Sequence, residues 1–207
     1  MDSEWIRVRQ EQSHCHLYRL HNCAIERDWA MMFAWLPERP ETVNSWRPGD
    51  RTENALLHRI AQMGAPAEVA EQLVQRGASR LQRNARRETA SDIAEQHGHH
   101  HLREALAPKY EHSVDLTALA ELQTHFHELI RSRGRVEHER LPDLELLLEM
   151  KRPCAVVFFG MRFRYTLETE GPLPSLIVES WLSCVAGSAQ VYEVTPSGSQ
   201  FLKAGPG

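Results

Sequence analysis

The residues of this 207-residue chain whose types and spacing suit chemistry fall into a few short clusters of histidine, cysteine, acid and arginine. His97, His99, His100 and His101 form the densest, and neutral imidazole is a common metal ligand. On a helix, however, consecutive side chains diverge, whereas ligand pairs favour i and i+3 or i+4. That cluster reads as structural. Cys15, His16, His21 and Cys23 have the composition of a zinc set but lack a C-x₂₋₄-C pair, and Cys23 falls on an apolar position. Core packing is favoured there, and no metal is expected. His125 and His127, beside Glu121 and Glu128, are the best general-base candidates, but no nucleophile accompanies them on their otherwise apolar-backed helix. Glu179 beside Trp181 is a candidate acid for a pocket shared with Tyr165 and Tyr192. The chain carries no G-x-S-x-G, H-E-x-x-H, P-loop or dinucleotide fingerprint. These residues predict no enzyme, no cofactor and no small-molecule substrate.

The arginine cluster reads differently. Arg80, Arg83, Arg86 and Arg87 lie close together on a chain whose net charge is −4. A solvated loop is one reading. The other is an electropositive rim that steers an acidic protein surface, because charge complementarity raises association rates and selects partners. Interleaved aromatics are missing, which disfavours a nucleic-acid partner.

Composition bounds the rest. One quarter of the residues are charged and 42% are hydrophobic, which excludes disorder. The opening residues show no apolar signal segment, and no run approaches the ~18 apolar residues of a membrane span. Four cysteines, Cys15, Cys23, Cys154 and Cys184, are widely spaced and fit buried thiols of a cytoplasmic protein. No membrane partner is expected.

The elements that must position these clusters change character near Pro108. Before it the chain repeats itself. Ala55-Leu56-Leu57-His58 returns 34 positions later as Thr89-Ala90-Ser91-Asp92, with Gly64 as Gly98 and Asp50 as Asn84. Leu20-His21-Asn22-Cys23-Ala24 echoes Leu57-His58-Arg59-Ile60-Ala61. Trp29 to Leu36 is a dense apolar helix stopped by Pro37 and Pro40, and Trp5, Ile6 and Val8 suit an N-terminal cap. A fixed period of this length marks one supersecondary unit copied and stacked.

After Pro108 the period vanishes. Apolar residues at helical spacing predict one amphipathic helix from Val114 to Arg133, with Ser113 or Asp115 as its cap and Gly134 as its stop. A short helix follows from Asp143 to Met150. Four strands are then expected: Cys154 to Phe159, Arg162 to Glu168, Ser175 to Ser183 and Gln190 to Thr195. Gly160-Met161 and Ala186-Gly187-Ser188 supply turns. Phe163, Tyr165 and Leu167 alternate onto one strand face. The expected class is α+β: an N-terminal helical solenoid at 1–110, then at 113–207 helices packed on a small antiparallel β-meander.

The repeated residues resemble an ankyrin repeat, with a T-P-L-H-like helix start at 55–58, Gly64 between two helices and Gly77-Ala78 closing the second. Thr89-Ala-Ser-Asp-Ile-Ala with Gly98-His99 resembles a last-repeat variant. Three repeats are implied, near 17–49, 50–83 and 84–108. The pattern from Val178 to Gly198 is similar to C-terminal domains that follow ankyrin repeats in some bacterial and plant proteins. The resemblance implies that the His58 ring bonds neighbouring loop backbone. It also implies that fingers and inner helices line a groove that binds another protein, placing Trp46, Arg47, Arg51, Arg59, Met63, Arg80, Arg83, Arg86, Arg87 and Glu95 on the partner-facing side. Glu53 and Arg87 stand where the family has glycine. A left-handed backbone there would cost roughly 1 kcal/mol, so those turns are expected to be rebuilt. The implied function is stoichiometric protein binding, as in bacterial immunity or inhibitor proteins and adaptors. An enzyme with its site in the C-terminal domain, or a nucleic-acid binder using the arginine finger, are the alternatives.

Overall fold

A computed structural model describes residues 15–36, 40–47, 49–133, 136, 140–150, 153–158, 161–182 and 189–204. The expected N-terminal cap, Pro37, Gly134, Gly160, Cys184 and the 186–188 turn lie outside them. The chain is α+β, with helices followed by an antiparallel sheet. It divides into two compact units, Met1–Lys109 and Tyr110–Gly207.

In the first unit, residues 15–25 form α1. Arg27 turns the chain in the left-handed region at φ 62°. Asp28 then caps α2, Trp29–Trp35, by accepting the Met31 N–H at 3.0 Å. Pro40 opens α3, Pro40–Val43, instead of merely blocking α2. The first helical position suits proline because the N–H it lacks has no partner there. Helices α4, Leu56–Met63, and α5, Ala67–Gln75, form a hairpin around Gly64. Helix α6, Ala90–Gln96, leads through Gly98 and a 3-10 turn, His100–Leu102, into α7, Arg103–Leu106. One apolar core runs from Leu20 and Ala24 through Leu57, Ile60 and Leu73 to Leu102 and Leu106. Six successive residues of α4, Leu56 to Ala61, are buried, as expected of a helix covered on more than one side. Gly64 needs to be glycine for two reasons. Its φ is 63°, and a Cβ there would sit 2.6 Å from the His99 ring.

The loops entering α4 and α6 share one hydrogen-bond pattern, 34 residues apart. Glu53 N–H donates to Asp50 C=O at 3.1 Å, and Arg87 N–H to Asn84 C=O at 3.0 Å. The side chains of Asp50 and Asn84 each accept the N–H two residues on, at 3.0 and 2.8 Å. Glu53 and Arg87 are both left-handed, at φ 51° and 65°. The expected rebuilding does not occur. Each loop keeps the turn without glycine, held by the Asx-type bond that tolerates such a backbone.

The second unit begins with α8, Leu116–Arg133. Asp115, not Ser113, caps it, accepting from Thr117 and Ala118 N–H at 2.9 and 3.1 Å. The expected short helix is a 3-10 stretch, Leu144–Leu148. The sheet has five strands in sequential order: β1 Cys154–Phe158, β2 Met161–Glu168, β3 Ser175–Leu182, β4 Gln190–Thr195 and β5 Gly198–Ala204. The fifth strand was not expected. Its residues are mostly exposed and follow Pro196, so it carries neither a buried apolar run nor alternation. It forms because a turn at 196–197 folds it back on β4 with register Thr195↔Gly198. Phe163, Tyr165 and Leu167 do share one buried face, against which Phe126 of α8 packs, 4.7 Å from the Tyr165 ring.

Candidate protein-binding surface

The loops of the first unit are pinned to the next hairpin by side chains that reach backbone. His21 is fully buried, and its Nε2–H donates to Ser45 C=O at 3.1 Å. His58, at the echoing position, donates from Nε2 to Gln82 C=O at 3.0 Å and to Glu88 C=O at 3.2 Å. Both reach a carbonyl 24 residues ahead. The His58 Nδ1 also accepts the Ala55 N–H at 3.1 Å, which fixes the neutral tautomer. At the start of α6, Asp92 does this capping, accepting the Thr89 N–H at 2.8 Å. Asn44 bridges forward as well, donating to Gly77 C=O at 2.7 Å and accepting the Ser79 N–H at 2.9 Å.

The loop before α4 carries a polar cluster. Arg59 pairs with Asp50 out of solvent, while the half-buried Arg47 stacks on the exposed Tyr18 at 5.4 Å. Burial pushes the Asp50 carboxyl up. The Thr52 hydrogen bonds and the Arg59 charge outweigh that and leave its pKa below the ordinary value. Burial holds the His21 imidazole down to about 4, with the Ser45 bond opposing and the Arg59 charge assisting. His21 is therefore neutral at neutral pH.

These contacts sort the expected partner-facing residues. Arg51, Arg86, Arg87 and Glu95 are exposed. Trp46, Arg47, Met63, Arg80 and Arg83 are half-buried, and Trp46 forms a bridge with Ala55. Arg59 is buried against Asp50 and serves the framework instead of the surface. Nor is the arginine loop free of folding duties. Arg80 Nε–H donates to Ala105 C=O at 2.9 Å, and Arg83 to Arg87 C=O at 3.0 Å. Asn44 and Asn84 were not among the expected partner-facing residues; both are Asx residues at loop positions that hold the backbone.

The remaining clusters take up the following contacts among the described residues. His99 and His101 donate to Gln62 and Ala65 carbonyls at 3.3 and 2.9 Å, tying the segment after α6 to the α4–α5 hairpin. His16 bonds Trp35 C=O at 2.6 Å, Cys15 is exposed and Cys23 packs on the core. Among the described residues no group of three or more His, Cys, Asp or Glu could hold a metal. His127 bonds Pro142 C=O at 2.9 Å and also contacts Gln123, while His125 meets Glu128 at 3.0 Å on the helix surface. Tyr165 and Tyr192 lie in one cross-strand row with Val178, so Glu179 points to the opposite sheet face, 3.7 Å from Arg164. The proposed acid and its tyrosines cannot share a pocket. Among the described residues, no helix is long and apolar enough to cross a membrane. Compared with known protein families, curated proteins and solved structures, the chain finds no match.

Proposed function

We propose that this chain is a non-catalytic protein-binding module built on ankyrin-type repeats, acting as a stoichiometric binder of the immunity, inhibitor or adaptor kind. One observation carries the reading. Two loops 34 residues apart are held by the same side-chain bonds, from Asp50 and from Asn84, and present Arg51, Arg86 and Arg87 to solvent. Loops fixed before association lose little entropy on binding, which favours a recognition role. Their charge suits a protein with an acidic patch.

The test is a partner recovered by pull-down from the native host, with association rates measured against ionic strength. Reversing Arg83 and Arg86 to Glu should slow association at least tenfold at low salt. The effect should shrink at high salt, because exposed charges are screened beyond about 8–10 Å. Association unchanged at every salt concentration would refute the loop as the contact.

A further inference from the structure

Helix α2 has a composition that its own position does not explain. It reads Trp-Ala-Met-Met-Phe-Ala-Trp, yet Met32 is its one fully buried residue, while Met31 and Trp35 are 46% and 37% exposed. The echo that relates Leu20 to Leu57 and Ala24 to Ala61 also relates the left-handed Arg27 to the left-handed Gly64. Carried forward, it relates Met31, Ala34 and Trp35 of α2 to Glu68, Glu71 and Gln72 of α5. All six residues are exposed. The same outward face is therefore polar on α5 and apolar on α2. Stacking needs do not require this, since the inward positions Met32 and Val69 are apolar in both. Methionine, tryptophan and arginine are also the residues enriched where proteins meet.

The rim decides what fits. The Arg19 guanidinium lies 5.2 Å from the Trp35 ring centroid. Arg76 is not part of this rim: it stacks 4.6 Å from Phe33, which packs on the core, and it donates to Gln72 C=O at 3.2 Å. A guanidinium stacked on a ring keeps edge N–H groups for a carboxylate. Asp28, the nearest acid on this helix, is engaged as its cap. A second copy would bring Arg19 against its own like charge.

We propose that the outer face of α2 is a second contact surface, separate from the arginine loops. Its occupant is a segment of another protein that places an apolar side chain between Asp or Glu residues. The probe is a random peptide display library, selected on the full chain and counter-selected on Met31→Glu. That variant gives α2 the residue α5 already carries, in a first helical turn where acids are favourable, so it should melt like the parent. Peptides that bind the parent and not the variant should carry a Leu or aromatic residue flanked by excess Asp or Glu. A synthetic copy should bind at least tenfold more weakly to Met31→Glu, more weakly to Arg19→Glu, and equally well to Arg86→Glu. The proposal is overturned if no selected peptide is sensitive to Met31→Glu, or if the sensitive ones are neutral or basic. It is equally overturned if Arg86→Glu weakens binding as much, or if the chain self-associates in a way that Met31→Glu abolishes. Because the loop variant is a separate arm, failure here leaves the loop reading standing.

Discussion

The two units hold their chain in opposite ways. Among the described residues, the buried polar side chains of the first unit are His21, Asn54, His58, Arg59, Ser79 and Asn84, whereas the second has Ser180. The cause lies in where the backbone bonds go. Strands of the meander bond to their neighbours directly, so the ladder both satisfies the backbone and sets the register. Helices satisfy themselves internally, and the loops between them have scattered backbone bonds, such as Ala85 N–H to Thr52 C=O at 3.0 Å, but no continuous ladder. In the first unit, histidine, asparagine and aspartate side chains add to those bonds. Buried side-chain atoms without a hydrogen-bond partner occur in both units among the described residues: His21 Nδ1 and Arg59 Nε in the first, Ser180 Oγ in the second. Loops fixed by side chains can be varied singly, whereas a ladder moves as a whole.

The comparison breaks first if the cores are not what hold each unit. Leu73→Ala should cost about 2–5 kcal/mol and Phe163→Ala about 3–5 kcal/mol, since both side chains are fully buried. Each should strip hydrogen-exchange protection from its own unit first. A thermal midpoint within a degree of the parent for Leu73→Ala would mean that the repeat register is wrong.

A medium effect tests the side-chain pins. The folded pKa of His21 lies below its unfolded value, so between about 6.5 and about 4 the unfolded chain binds the extra proton. The stabilisation is complete above pH 6.5 and is lost as pH falls, by roughly 3 kcal/mol at pH 4. Urea midpoints measured across that window should fall for the parent. They should fall far less for His21→Gln, whose amide can still donate to Ser45. Parallel curves would show that His21 does not pin the loop.

The smallest effect sharpens the loop geometry. Glu53→Gly and Arg87→Gly should each stabilise by some tenths to about 1 kcal/mol, because glycine relieves the left-handed strain while adding entropy to the unfolded chain. Destabilisation in a denaturant titration would show that the side chains matter more than the backbone does.

Much of this was legible in the chain. The period of 34 made the loops before α4 and α6 equivalent, and alternation put Phe163, Tyr165 and Leu167 on one face. These features follow from local chemistry, because side-chain period and capping type are written residue by residue. Tertiary structure decided the rest. Only packing could bury Arg59 against Asp50, since a guanidinium in an arginine-rich region looks the same from the sequence whether it faces solvent or a carboxylate. Only the turn after Pro196 could make a strand of exposed residues, because β5 gains its bonds from β4 and not from its own pattern. Left-handed Glu53 and Arg87 persist for the same reason: bonds from Asp50 and Asn84 set a backbone that neither residue would choose alone.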